Sequence, residues 1–491
     1  RERNVRRYIT NLVLLIICLL GALPWGQRPL YAAQPIEPGR CPAYLAPNAR
    51  FGFNLDLSNE QSLDLYDYAA LHARWYLDYD FRGASTDEMA YVRVIRTGQN
   101  LATLAADVGP VVDANPGDLW ILGNEPDRDT QDGRTPDAYA EFYHEVYGFL
   151  KARDPSAQVA IGGVVQSTPL RRRYLDMVLS AYQARYGEPL PVDVFTVHGF
   201  VLREDQTWGA GIPPGLDAFA HEGMLYELED HRNLEIFKTQ MRDFRRWMAD
   251  NGLRDKPLIV SEYGILMPAD YGFAYEQVRD FMLGSVDFFN TETDAETGYP
   301  ADANRLVQWW SWFSLNAPAY DFETQEGYNG NLFEPSSHEI NALGVDFGQY
   351  VADHAPAGTD LVLDSVQMEP PLLVASAAPM TVTVAATVHN LGALDAQNVR
   401  LRVWRNDGAG AFTLLATSAS HAIVLAGAQN VTLHAAWPFT ALSGGDNPLL
   451  LELDADNGGL ENVCANQQMA YTLTVFEQDL AKQLYLPVAM R

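Results

Sequence analysis

The feature that most constrains the fold of this chain is a regular alternation of apolar and amphipathic segments between residues 50 and 353. Short apolar runs such as "DLWILGN" (118–124) are typical of parallel strands that are covered on both faces. Amphipathic stretches separate these runs, and in the clearest one (135–153) a capping threonine precedes a proline that suits the first helical turn. The apolar runs span 50–57, 72–81, 89–98, 118–124, 157–165, 192–200, 256–264 and 305–314.

Eight strand–helix units in one region predict an α/β fold, a (β/α)8 TIM barrel within residues 34–353. A doubly wound open sheet is the alternative. The segment after the sixth run, residues 201–232, is unusually long and carries Trp208. Because the segments that follow barrel strands surround the active site, this one is predicted to form a wall over a cleft.

The composition changes near residue 355, where "HAPAGTD" (354–360) reads as a linker. Short alternating runs separated by turn residues follow and predict an all-β sandwich over residues 361–478. We assign no role to the tail, residues 479–491. The stretch "ATVHNLGALDAQNVRLRVW" (386–404) resembles the cell-adhesion-related bacterial domain, which implies an immunoglobulin-like fold. Such a domain could attach the protein to a cell surface or a polymer, or it could only pack against the first domain.

Residues 1–33 have the order of a secretory signal peptide: basic residues, the apolar run 12–25, and small residues at Ala32 and Ala33. A single membrane anchor is the alternative, although the apolar run is short for a full span. We therefore expect a secreted or cell-surface protein with no membrane span after cleavage. Cys41 and Cys464 would then remain, either as one disulfide or as two buried thiols.

The net charge is strongly negative, −29 for the whole chain and −33 without residues 1–33. Such a chain repels nucleic acid and anionic membranes, so we expect neither as a partner. A neutral substrate fits this charge better than an acidic polymer.

Two of the predicted strands end on a glutamate that lies just past the apolar residues. Glu125 closes the fourth run in "WILGNEPD", and Glu262 closes the seventh in "LIVSEYG". Strands four and seven of a closed eight-strand ring lie across its mouth from each other, so the two carboxyl groups can converge. Cleavage of a glycosidic bond requires such a pair, one group to protonate the leaving oxygen and the other to attack the sugar or activate water.

The motifs "GNEP" and "SEYG" resemble those of the clan A glycoside hydrolases, over roughly residues 50–353. The resemblance implies hydrolysis of a poly- or oligosaccharide with retention, with Glu125 as general acid/base and Glu262 as nucleophile. It also implies that Asn124 binds the sugar 2-hydroxyl. The pKa of Glu125 should then be raised, and Glu262 should stay ionised.

Further site residues are predicted from the same resemblance and from strand positions. His198 ends the sixth run, where clan members carry a His or Tyr near the nucleophile, although a hydrogen-bonded core histidine is the alternative. Trp310 in the eighth run is predicted to lie under the sugar ring, with barrel filling as the alternative. Tyr263 and Trp208 are candidate aromatic contacts to sugar.

The second run departs from the clan pattern. Many clan members end this strand with an arginine near the nucleophile, whereas here Arg74 comes early and the next arginine is Arg82. Arg96 of the third run could substitute, or the charge could be absent.

The sequence contains no motif for a metal-dependent hydrolase, a phosphate-binding protein or a serine hydrolase. There is no His-x-His, no second histidine after His221-Glu222 or His338-Glu339, no phosphate-binding loop and no Gly-x-Ser-x-Gly. We therefore expect no metal and no cofactor. Two alternatives stay open: a non-catalytic carbohydrate-binding or adhesive surface protein with a degenerate barrel, and a transglycosylase that uses the same glutamates.

Overall fold

The computed structural model describes residues 49–477 apart from short gaps. The predicted signal peptide, both remaining cysteines and the C-terminal tail lie outside the described residues. The gaps are 57–61, 87–88, 325–326, 356–357, 393, 409–410, 428–429 and 457–466.

Parallel strands occupy all eight apolar runs of the first region, the third run containing two short strands separated by one residue. Hydrogen-bonded pairings connect β1 to β2, β2 to β3, β4 to β5, β5 to β6, β7 to β8, β8 to β9, and β9 back to β1. Isolated bridges join β6 to β7. The strands are β1 (Phe51–Asn54), β2 (Trp75–Leu77), β3 (Ala90–Tyr91), β4 (Arg93–Ile95), β5 (Leu119–Leu122), β6 (Gln158–Ile161), β7 (Phe195–His198), β8 (Leu258–Tyr263) and β9 (Trp309–Trp312).

α-Helices follow β4 and every later strand of this region. In the described parts of the connections after β1 and β2 there are only two 3₁₀ turns, which departs from a regular strand–helix alternation. None of the helices in the described residues is long and apolar enough to cross a membrane. The helices are α1 (Leu104–Asp107), α2 (Gly109–Ala114), α3 (Pro136–Arg153), α4 (Pro169–Tyr186), α5 (Leu234–Asp250), α6 (Tyr275–Thr291) and α7 (Ala342–His354).

Alternate residues of the parallel strands build two separate apolar cores. One core contains Trp75 and Trp309, whose rings stack at 5.0 Å, together with Ile121 and Ile259. The other contains the residues between these, such as Trp120, which pack with the helices. The parallel strands are therefore covered by apolar side chains on both faces.

The described strands beyond residue 360 pair antiparallel, except that β11 pairs parallel with β18, and the region has its own apolar core. One sheet has the order β10-β12-β16, and the other has the order β11-β18-β17-β13-β14, with β15 on β13. The prediction of parallel strands with helices, followed by an antiparallel all-β region, is confirmed. The strands are β10 (Leu361–Glu369), β11 (Leu373–Val374), β12 (Ser376–Asn390), β13 (Ala396–Gly408), β14 (Ala411–Thr417), β15 (His421–Val424), β16 (Val431–Ala441), β17 (Gly445–Asp454) and β18 (Gln468–Phe476).

Candidate active site

The chain turns sharply where β5 ends, and this turn sets the position of Glu125. Gly123 has φ of +93°, which a side chain would disfavour, and a Cβ there would also meet Thr97 at 3.1 Å. Glu125 itself has φ of +47°, an uncommon value for a residue with a side chain. Its backbone N–H donates to the carbonyl of Gly163 at 3.0 Å. The backbone therefore leaves the strand ladder at this point, and the Glu125 side chain is buried, with 2% of the residue exposed.

An irregularity in β8 sets the position of Glu262. The pairing of β7 with β8 shifts register after Val197, so that His198 lies opposite Glu262. The Tyr79 hydroxyl, from the segment after β2, donates to Oε2 of Glu262 at 2.9 Å. The end of the second strand therefore supplies a hydroxyl donor to Glu262.

His198 lies between the two glutamates. Its Nδ1 is 3.1 Å from Oε1 of Glu125 and 3.7 Å from Oε2 of Glu262. A Cβ on Gly163 would come within 2.7 Å of the imidazole, so this glycine leaves the space that the ring occupies. One oxygen of each carboxylate and one nitrogen of His198 all lie within 4.8 Å of one another. Two carboxyl groups predicted from strand endings thus meet in one site.

Arg128 places a positive charge beside Glu125. Its guanidinium donates to Oε2 of Glu125 at 3.2 Å and to the carbonyl of Gly209 at 3.3 Å. The backbone N–H of Arg128 also donates to the carbonyl of Glu125, so residues 125–128 form a tight turn. This turn brings the side chains of residues i and i+3 together. Arg128 therefore both orients the carboxylate and ties its turn to the 201–232 segment.

These contacts separate the pKa values of the two carboxyl groups. Burial alone would raise the pKa of Glu125, but the hydrogen bond and charge of His198 and the charge of Arg128 outweigh it and lower the pKa. Burial raises the pKa of Glu262 to about 7; the nearby charge of Glu125 adds to this, while His198 and the Tyr79 hydroxyl oppose it. Burial lowers the pKa of His198, but Glu262 and Glu125 together raise it above its ordinary value.

The expected order of the two pKa values is therefore wrong. The resemblance implied a protonated Glu125 and an ionised Glu262, whereas the structure favours an ionised Glu125 and holds a proton on Glu262 at pH values below about 7. The physical reason is the unequal distribution of donors, because Arg128 lies on Glu125 while a neutral tyrosine lies on Glu262.

Asn124 lies next to this pair in the chain, and it is buried. Its backbone N–H donates to Asp132 at 2.9 Å. No described residue forms a hydrogen bond with its side-chain amide. The predicted contact to a sugar hydroxyl stays a prediction, and the amide is available for it.

Two predicted sugar contacts are wrong because their side chains point away from the site. Trp310 has 0% exposure, and its ring lies between Phe51 (4.9 Å) and Phe289 (5.3 Å). Tyr263 is also fully buried and packs against Phe289 at 5.2 Å. Both belong to the core between strands and helices and cannot stack on a sugar in this arrangement.

An apolar wall next to the site is formed by a separate small cluster that includes Phe200 and Phe313. Phe200 contacts the His198 ring edge-on at 6.2 Å. Trp208 and Tyr79 are partly buried and pack against this cluster. The long segment 201–232 thus contributes Trp208 to the surroundings of the glutamates, as the sequence predicted for a wall over the cleft.

Tyr79 and Arg128 were not predicted as site residues. Arg96, the possible substitute for an arginine at the end of the second strand, pairs with Asp132, and Arg82 pairs with Asp80. Arg128 follows the motif directly in "NEPDR", and a turn after Asn-Glu-Pro brings residues i and i+3 together. That spacing was the available signal.

A fully buried ion network supports the turn from behind. Arg171 of α4 pairs with Asp127 at 2.8 Å and with Glu204 at 3.0 Å. The same guanidinium donates to the carbonyls of Ala210 and Gly211. Asp127, which had no predicted role, therefore fixes the segment after Glu125 against the 201–232 segment.

The three converging groups also have a spacing that a divalent cation can bridge. Arg128 disfavours this use, because its guanidinium already occupies one oxygen of Glu125 and repels a second cation. The arrangement suits a shared proton better than a metal ion.

Comparisons with known proteins place this chain near glycoside hydrolases only at low similarity. No protein family matches the sequence, and no curated protein resembles it significantly. A GH128 (subgroup III) curdlan-specific exo-beta-1,3-glucanase from Blastomyces gilchristii is 14% identical over 62% of this chain and 99% of its own, with a TM-score of 0.41. A GH128 (subgroup II) endo-beta-1,3-glucanase from Sorangium cellulosum is 17% identical over 62% and 98%, with a TM-score of 0.40. A CARDB domain from Pyrococcus furiosus is 20% identical over 25% and 98%, with a TM-score of 0.19.

Proposed function

We propose that this protein is a retaining glycoside hydrolase that cleaves β-linked poly- or oligosaccharides by double displacement. The parallel region acts as a (β/α)8 barrel, because the two short strands of the third run, β3 and β4, pair with β2 and β5 on either side, and because β9 pairs back to β1. The antiparallel region is an immunoglobulin-like domain that could attach the enzyme to a surface or polymer. Export through residues 1–33 is part of the proposal.

One observation carries this function: the carboxylate oxygens of Glu125 and Glu262 approach within 4.8 Å in a buried site. Retaining glycosidases need their two carboxyl groups about 5–5.5 Å apart, whereas inverting enzymes need about 6.5–9.5 Å to admit a water molecule. The short separation favours direct attack by one carboxylate on the sugar.

In the proposed first step, Glu125 protonates the leaving oxygen while the Glu262 carboxylate attacks the anomeric carbon, giving a glycosyl ester and the released alcohol. In the second step, Glu125 removes a proton from water, which attacks the same carbon and frees Glu262. The first step needs the proton on Glu125. His198 supplies the route, since its Nδ1 can pass a proton to Glu125 and be reprotonated by Glu262.

The surroundings favour a neutral glycan. The chain carries a net charge of −29, and the glutamate pair adds negative charge where the substrate binds, so an anionic polymer would be repelled. The apolar wall with Phe313 and the partly buried Trp208 offers aromatic faces to the C–H surfaces of a sugar.

Hydrolysis of a panel of glucan, xylan, mannan and galactan substrates tests the proposal. We expect wild-type protein to release reducing ends from at least one polysaccharide and Glu262→Ala to be inactive. The control variant Glu145→Gln, which changes an exposed residue of α3, should match wild type. Activity should be unchanged by EDTA, because no step uses a metal. A wild-type protein that binds one glycan but cleaves none would favour the non-catalytic carbohydrate-binding alternative.

A transglycosylase would use the same two carboxyl groups and differ only in the acceptor. Product analysis at high acceptor concentration separates the two functions. We expect free sugar to dominate, whereas longer oligosaccharides as the main product would favour transglycosylation.

A further inference from the structure

A cavity lies between the segments that follow β8 and β9. Its volume is about 450 Å³. Phe273 and Tyr275 line it from the first segment, and Tyr320 and Tyr328 line it from the second. Because both segments follow the carboxyl ends of their strands, the cavity opens at the same end of the parallel region as Glu262.

Three aromatic rings form a platform at this cavity, which we define as Tyr271, Tyr320 and Phe322. The ring centroids of Tyr320 and Phe322 are 4.9 Å apart, those of Tyr271 and Phe322 are 5.8 Å apart, and those of Tyr271 and Tyr320 are 6.2 Å apart. Tyr271 is 45% exposed and Phe322 is 48% exposed. Clustered exposed aromatic rings are unusual on a soluble domain unless they contact a ligand.

Tyr328 connects the cavity to the glutamate pair. Its ring contacts Phe313 of the apolar wall edge-on at 5.1 Å. Burial raises the pKa of its hydroxyl, and the charges of Glu262 and Glu125 raise it further, while Arg128 opposes them. The same residue therefore borders the cavity and the apolar wall next to the glutamate pair.

The charge around the platform selects among ligands. Asp270 adjoins Tyr271 in the chain, and Asp321 and Glu323 flank Phe322; all three acidic residues are exposed. Such a surface repels anionic polymers and acidic peptides. Flat aromatic rings beside acidic groups suit a neutral sugar chain, whose C–H faces stack on rings and whose hydroxyls donate to carboxylates.

We propose that the platform and its cavity bind sugar units distant from the cleaved bond, so that the substrate is a polysaccharide chain rather than a disaccharide. This inference rests on the proposed function and specifies the substrate of the same site. It predicts that the platform contributes to KM for long substrates and not to the chemistry.

The test is the kinetics of Tyr271→Ala/Phe322→Ala on two substrates, the panel polysaccharide that wild type cleaves and the matching p-nitrophenyl glycoside. We expect KM for the polysaccharide to rise about tenfold or more, the factor that corresponds to about 1.4 kcal/mol. Both parameters for the aryl glycoside should stay within about twofold. Phe322→Tyr, which keeps the ring, should retain wild-type KM, and Leu101→Ala, an exposed residue elsewhere, should have no effect.

Unchanged polysaccharide KM in the double variant would overturn the inference, and so would an equal loss on the aryl glycoside. If wild type cleaves nothing in the panel, the proposed function fails. Affinity electrophoresis in gels that contain each polysaccharide then tests separately whether the platform binds a polysaccharide. Retardation of wild type but not of the double variant supports the platform. Equal mobility of the two proteins overturns it.

Discussion

The end of β5 and the end of β8 each deliver a buried glutamate to the same site, but they surround it differently. Glu125 receives Arg128 and the nearer contact of His198, and its pKa is lowered. Glu262 receives the neutral hydroxyl of Tyr79 and the longer contact of His198, and its pKa is raised to about 7. Equal burial therefore gives opposite protonation states, because the number of cationic donors decides the sign of the shift.

The Asn-Glu-Pro and Ser-Glu-Tyr motifs indicate that two carboxyl groups converge, but they do not indicate which of the two carries the proton. Convergence of the carboxyl groups follows from strand position, whereas the location of the proton follows from side chains that come from other segments. In the proposed reaction a proton must reach Glu125 after substrate binds. A substrate that displaces Arg128 from Glu125, or that buries the pair further, would favour that transfer.

The largest expected effect separates the two carboxyl groups by role. Glu125→Gln and Glu262→Gln should each lower kcat by about 10³-fold or more, because neither step proceeds without both groups. With azide and an activated aryl glycoside, Glu262→Gly should give the glycosyl azide of inverted configuration, and Glu125→Gly should give the retained one. The opposite assignment of products would exchange the proposed roles.

Removing the charge at the end of β5 should reduce the difference between the two environments. Arg128→Met should lower kcat/KM by about 10–100-fold and shift the acidic limb of its pH profile upward, because Arg128 lowers the pKa of Glu125. Arg134→Met is the matched control, since Arg134 donates to Thr97 instead. An acidic limb that does not move in Arg128→Met would show that the charge does not act on Glu125.

The Tyr79 hydroxyl, which donates to Glu262 of β8, has a smaller expected effect. The pair needs one proton, which leaves as the pH rises through about 7, so kcat/KM should fall above that pH. Tyr79→Phe removes a contact that lowers the pKa of Glu262, so the alkaline limb should shift to higher pH, with a loss of about tenfold at the optimum. Tyr76→Phe, whose hydroxyl donates to the carbonyl of Ala84, should leave the limb in place. A downward shift in Tyr79→Phe would contradict the account.

Stability should report the same raised pKa without any substrate. The pKa of Glu262 in the folded protein, about 7, exceeds its ordinary value of 4.5, so wild type loses stability as the pH rises from below 4.5 through 7. Glu262→Gln removes this loss. At pH 8 its free energy of unfolding should exceed that of wild type by on the order of 3 kcal/mol, and its Tm should be higher. At pH 5 both differences should be much smaller. Glu145→Gln on the exposed face of α3 should show no such pH-dependent difference. If the Tm of Glu262→Gln differed from that of wild type by the same amount at pH 5 and at pH 8, Glu262 would not be the group with the raised pKa.

Sequence pattern predicted the parts of the fold that depend on periodicity. Continuous apolar runs located every parallel strand of the first region, and strand endings located Glu125 and Glu262. The pattern could not show which face of β9 points outward, because both faces of such a strand are buried; Trp310 was therefore assigned to the site although it lies in the outer core.

The sequence pattern could not predict contacts between segments that are distant in the chain. Tyr79 reaches Glu262 across 183 residues, and nothing in its neighbourhood distinguishes it from other tyrosines of the chain. The pKa order was also beyond reach, since it depends on which carboxylate Arg128 contacts. Local spacing could have indicated Arg128, because it lies three residues after Glu125 in a Pro-containing turn.

The most direct test of the central claim is the configuration of the first sugar product, followed by proton NMR during hydrolysis of a β-linked substrate by wild-type protein. One oxygen of Glu125 lies within 4.8 Å of one oxygen of Glu262, which favours a double displacement, so the β-anomer should appear first and the α-anomer only later, at the rate of mutarotation. Initial formation of the α-anomer would show inversion and contradict the account.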